Sequence, residues 1–85
     1  MHETGVVQAL LEAAESAAGS GDRVRRMHVR AGALSGLGAA SLRMHIGELA
    51  RERWGRVPDV HVELGADETG LSAFGATLGS VTVDG

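Results

Sequence analysis

The chain has 85 residues, with 13 Gly, one Pro, one Trp, one Phe, no Tyr and no Cys. That is the length of one domain, its core restricted to Val, Leu, Ile, Met and Ala, with disulfides and cysteine zinc sites excluded. The net charge of −3 is unevenly spread: residues 1–22 carry four acids and no base, residues 23–56 eight Arg and two Glu, residues 57–85 five acids and no base. The Arg-rich middle either steers an acidic partner or pairs with acids of the flanking thirds. Two aromatics give no stacking platform for single-stranded nucleic acid. The longest apolar-rich stretch, Val6 to Leu11, is too short to span a bilayer. No basic segment precedes an apolar run at the N-terminus, so no signal peptide is expected. The expectation is a cytoplasmic protein that engages neither membrane nor nucleic acid.

Val6, Val7, Leu10, Leu11, Ala14, Ala17 and Ala18 recur at helical spacing, with Gln8, Glu12, Glu15 and Ser16 on the other side. Thr4 is the expected N-cap, and Gly19-Ser20-Gly21-Asp22 ends this first helix. The period then changes: Met27, Val29 and Ala31 alternate with Arg26, His28 and Arg30, the pattern of a half-buried strand. Val24 lies off this alternation and leaves the strand's start open. Gly32 to Gly38 form a glycine-rich loop in which backbone can approach another group closely. Residues 39–54 read as a second helix, with Leu42, Ile46, Leu49 and Ala50 on one face and Gly47 marking close packing. Gly55 ends it, and Pro58 stands where a strand begins.

Val60, Val62 and Leu64 alternate with His61 and Glu63 as a second strand. Residues 65–76 read as a loop, and Val81 and Val83 alternate with Ser80 and Thr82 as a third strand. The order α-β-α-β-β predicts parallel first and second strands around a crossover helix, with the third strand antiparallel to its partner. The expected architecture is an α/β two-layer sandwich: a three-stranded mixed sheet with two helices on one face. Arg26, His28, Arg30, His61 and Glu63 then show on the other face.

Chemistry is sparse. No cysteine nucleophile, nucleophile elbow or P-loop is present, and no enzyme is expected. Met1-His2-Glu3 offers one compact chelate: the α-amine, the His2 amide nitrogen and the imidazole form fused rings in a plane, which suits Ni(II) or Cu(II). From the dipeptide alone the signal is weak, and a histidine at position 2 is mostly just an ordinary exposed side chain. His28 and His61 approach each other if their strands are neighbours, yet Arg26 or Arg30 opposes a cation there, and a solvated polar face is the simpler reading.

Met1-His2-Glu3 opens a helix containing Val7-Gln8-Ala9-Leu10-Leu11; the strand then runs through Met27-His28-Val29-Arg30 into Gly32-Ala33-Leu34-Ser35-Gly36, and Ser41-Leu42-Arg43 opens the second helix. In register and in order, these segments resemble the hydrogenase nickel-insertion metallochaperone family (HypA). The resemblance covers residues 1–64, and Leu78 to Asp84 is similar to that family's closing strand. It implies a single nickel-binding domain over residues 1–85, with Ni(II) held by the Met1-His2-Glu3 segment and His2 as the essential side chain. It also implies delivery of nickel to the large subunit of NiFe hydrogenase, or to urease, with a maturation GTPase as partner.

Two departures stand out. Where the family inserts a zinc domain with paired cysteines, this chain has only residues 65–76, so the structural zinc is not expected. Where the family often has an acidic residue after its Leu-Ser-Gly element, this chain has Gly38. Both departures favour an alternative: a metal-independent interaction module that binds a hydrogenase subunit or maturation partner, with Arg26, His28 and Arg30 as its contact residues.

Overall fold

The computed structural model describes residues 3–31, 38–64 and 76–83. The helical periodicity at the start becomes α1 (Glu3–Ala18), and the alternating segment becomes β1 (Val24–Ala31). They are followed by α2 (Ala39–Trp54), β2 (Asp59–Leu64) and β3 (Ala76–Val83). The sheet order is β2-β1-β3, with β2 parallel and β3 antiparallel to β1. The two helices cover one sheet face, as the two-layer α/β expectation requires. No helix among the described residues is long and apolar enough to cross a membrane.

Both helices end as the glycines dictate. Gly19 and Gly55 adopt positive φ, 91° and 73°, which a side chain rarely tolerates. Their N–H groups donate to Glu15 O and Arg51 O, satisfying carbonyls that the last turn leaves open. The start of α1 departs from expectation. The helix begins at Glu3, so Thr4 lies inside it and is not the N-cap. Ala17, placed with the apolar stripe by periodicity, is exposed, whereas Val7, Leu10, Leu11, Ala14 and Ala18 are buried. An alanine at the stripe's margin buries too little area to turn the helix toward the sheet. Of the segment read as a loop, 65–76, residues 65–75 lie outside the described residues, and Ala76 pairs with Ala31 in β3.

Val24 is buried despite lying off the alternation, and the register explains it. Val24 faces Val83 while Arg26 faces Thr82, so Arg25 is an extra residue in β1. This bulge resets the alternation and returns Val24 to the core face. A second bulge leaves Gly79 unpaired between Leu78 and Ser80. With these corrections Val24, Met27, Val29 and Ala31 all point into the helix layer, where they meet Leu42, Ile46 and Ala50 of α2 and the buried stripe of α1.

β3 pairs with the central strand and not with the strand that precedes it. Residues 65–75 therefore link the two outer edges of the sheet. Those edges lie about 10 Å apart at normal strand spacing, so the segment is long enough to connect them without a further domain.

The directions of the elements place their ends. β1 and β2 are parallel, so α2 between them runs back the other way. The short link after α1 turns directly into β1, so α1 runs alongside α2 in the same direction. Their C-terminal turns meet. Arg53 Nε and Nη2 donate to Glu15 Oε2 and Oε1 at 2.6 and 2.9 Å, and Trp54 Nε1 donates to Oε2 at 2.5 Å. Arg56 Nη1 adds a hydrogen bond to Asp22 O at 2.8 Å. This end of the sandwich is stitched by polar contacts, which the aliphatic core cannot provide directionally.

The Arg53 hydrogen bond, then that of Trp54, lowers the Glu15 pKa from the usual 4.5 to about 2, against a smaller opposing effect of burial. A carboxylate with a depressed folded-state pKa stabilises the fold above its unfolded pKa and loses that contribution as pH falls through the folded value. Stability is therefore expected to decline between pH 4.5 and about 2 as Glu15 protonates. Glu15→Gln should lower the melting temperature at neutral pH by about 5 °C and flatten this acid limb. Thermal unfolding followed by circular dichroism across that pH range checks both; an unchanged acid limb in Glu15→Gln contradicts the assignment.

Candidate metal centre

The end of the sandwich opposite the Glu15 cluster gathers the start of α1, the C-terminal ends of β1 and β2, and the starts of α2 and β3. Glu3 opens α1 there, directly after the Met1-His2 pair. Met1 and His2 lie outside the described residues, as does the Gly32-to-Leu37 stretch of the glycine-rich loop. Gly38 occupies the N-cap position of α2 with extended backbone, and Leu42 N–H donates to its carbonyl at 2.9 Å. A glycine N-cap supplies no side-chain acceptor for the first turn.

The sheet face away from the helices is polar. Arg26, His28 and Arg30 are exposed on β1, and Asp59, His61 and Glu63 are exposed on β2. Parallel register sets each base or imidazole beside a partner: Arg26 opposite Asp59, His28 opposite His61, Arg30 opposite Glu63. On the other side of β1, Thr82 lies opposite Arg26 and Ser80 opposite His28. Arg26 Nε donates to Asp59 Oδ2 at 3.4 Å, an exposed pair that contributes little to stability. The His28 and His61 ring centres are 4.9 Å apart, with planes inclined at 44°.

The three residues expected to contact a partner, Arg26, His28 and Arg30, thus share one exposed row. The conditional approach of His28 to His61 is met, because their strands are neighbours in register. What the sequence reading missed is Asp59. With Glu63 it flanks His61 on β2 as Arg26 and Arg30 flank His28 on β1, so these four formal charges offset one another, while Arg43 of α2 lines a cavity beside His61. Two arginines of the Arg-rich third pair with acids of the flanking thirds, Arg53 with Glu15 and Arg26 with Asp59, as one of the two readings of that third expects. Among the described residues, no group of three or more His, Cys, Asp or Glu side chains is arranged to hold a metal.

A groove of about 570 Å³ runs along the outer side of α2, lined by Met44, His45, Gly47, Glu48 and Val57 among others. A Cβ at Gly47 would lie 3.4 Å from Val57 Cγ1, an ordinary contact, so the close packing expected at this glycine is not required by its neighbours. No protein-family model, curated protein or solved structure matches this chain.

Proposed function

We propose that this chain is a nickel-binding maturation factor, of the metallochaperone kind, that assists delivery of Ni(II) to NiFe hydrogenase in the cytoplasm. The reading is non-enzymatic. It rests on the resemblance of the Met1-His2-Glu3 and Gly32-to-Gly36 segments to the hydrogenase nickel-insertion family. The observation that supports it best is the start of α1 at Glu3, which joins the chelating dipeptide directly to a helix docked on the sheet. In this reading the Met1 amine, the His2 amide nitrogen and the His2 imidazole bind nickel in a plane, and Glu3 belongs to the same segment. A planar set of nitrogen donors favours Ni(II) and Cu(II) over ions that prefer tetrahedral or octahedral surroundings. The ligands must be deprotonated, so binding weakens on acidification. The large subunit of the hydrogenase, or a maturation GTPase, is the expected partner, with urease as a further client. The sheet order supports loss of the zinc module without rearrangement, because the link between β2 and β3 needs only to cross one strand.

Isothermal titration of Ni(II) into protein with a free Met1 amine tests this. One high-affinity Ni(II) per chain is expected, and its affinity should fall by about a hundredfold or more in His2→Ala. Unchanged affinity in His2→Ala overturns the proposal.

The uncovered row of Arg26, His28 and Arg30 favours a second reading, an interaction module for a hydrogenase subunit or maturation partner that works without metal. It requires that His2→Ala still capture the partner, and that neutralising Arg26 and Arg30 weaken capture and reduce its salt sensitivity.

A further inference from the structure

The open sheet face brings two imidazoles side by side, away from the N-terminal segment. We propose that His28 and His61 form a two-imidazole site for a divalent transition-metal ion, with water completing the coordination. The argument starts from register. His28 and His61 are direct neighbours on parallel strands, both exposed, so the backbone of a paired sheet fixes their spacing. Their ring centres are 4.9 Å apart. Two imidazoles bound to one metal, each nitrogen about 2.0–2.1 Å from it, hold their ring centres about 4.5–5 Å apart over metal-centred angles of about 90–110°. The observed separation lies within that range before any rotamer change.

The surroundings permit a cation. On β1 the site is flanked by Arg26 and Arg30, and on β2 by Asp59 and Glu63. Arg26 is already engaged by Asp59. On β3 the position opposite His28 is Ser80, which brings no charge. Arg43 at the start of α2 lines a shallow cavity with His61 and adds a further positive charge near the site. The two carboxylates of β2 offset the two arginines of β1, so a cation meets two donor nitrogens with less repulsion than the arginines alone would exert. Two imidazoles and water suit Zn(II), Cu(II) or Ni(II) and not Ca(II) or Mg(II), which require oxygen ligands. Both side chains are exposed, so the site is open to solvent. Binding weakens on acidification, because the ligating imidazoles must be neutral.

Zn(II) alone is the probe, titrated into the His2→Ala protein so that the N-terminal segment contributes no imidazole. Binding is followed by the histidine ring resonances in NMR and by calorimetry. The expected result is one Zn(II) per chain, with the His28 and His61 ring signals moving together. Affinity should fall by about tenfold or more in either His28→Ala or His61→Ala. Both side chains are exposed, so the variants should fold, and circular dichroism verifies that they do. Failure of the His2→Ala protein to bind Zn(II), or equal affinity in either single-histidine variant, overturns the proposal. Because His2 is absent throughout, neither result bears on nickel binding by the N-terminus.

Discussion

Met27→Ala is expected to lower stability by about 3 kcal/mol, and the melting temperature by more than about 10 °C. Met27 is fully buried on the central strand. Its register partners, Val60 on β2 and Val81 on β3, are partly buried against the same core. Both helices lie over this face, so the truncated side chain leaves a void whose walls belong to the rigid sheet and helix layers. A domain of this size has little reserve, on the order of 4–13 kcal/mol in total, so the loss is a large share. The neighbouring substitution His28→Ala lies on the opposite face and should change stability by no more than about 0.5 kcal/mol. Urea unfolding of the two variants measures the contrast. Equal costs would mean that the register is shifted by one residue, since a slip of one moves every side chain to the other face.

Gly21→Ala is expected to cost about 2 kcal/mol, an unusual effect for a residue in a short surface turn. Gly21 is buried, and a Cβ placed on it would overlap the Trp54 indole ring. The ring is held in turn by its Nε1 hydrogen bond to Glu15 Oε2. Moving the ring breaks that bond and disturbs the Glu15–Arg53 pair, so one added methyl group reaches three elements. The coupling has a clear signature. In a Trp54→Ala background the further change Gly21→Ala should be nearly neutral, and a double-mutant cycle on unfolding free energies reads it directly. Additive costs would show that Gly21 is glycine for a reason other than the indole.

Much of the fold was legible because its elements follow a simple period. The aliphatic stripe of α1, the alternation in β1 and β2, and the α2 boundaries at Ala39 and Trp54 all follow from residue spacing. The bulge at Arg25 was not legible, since an extra residue in a strand leaves no mark except a break in alternation at Val24. The choice of β1 as the partner of β3 was equally hidden, because valines at alternating positions pair as well with either neighbour. The Glu15–Arg53–Trp54 cluster joins residues far apart in sequence, and nothing local announces it. At the candidate sites the residue types were readable while their meaning depended on register. His28 and His61 became a pair, and Asp59 and Glu63 became its counter-charges, only once the strands were aligned. The Met1-His2 segment carries its proposed chemistry in its covalent structure, so its reading comes from the sequence.

That covalent chemistry makes the central proposal open to one direct measurement. Ni(II) added to protein with a free Met1 amine should give the absorption band of planar, diamagnetic nickel at one equivalent per chain. The band should be absent when residues are appended ahead of Met1, even though the folded domain is unchanged. A planar nickel band of equal intensity in the extended protein, or no planar nickel in either form, would contradict nickel binding by Met1 and His2.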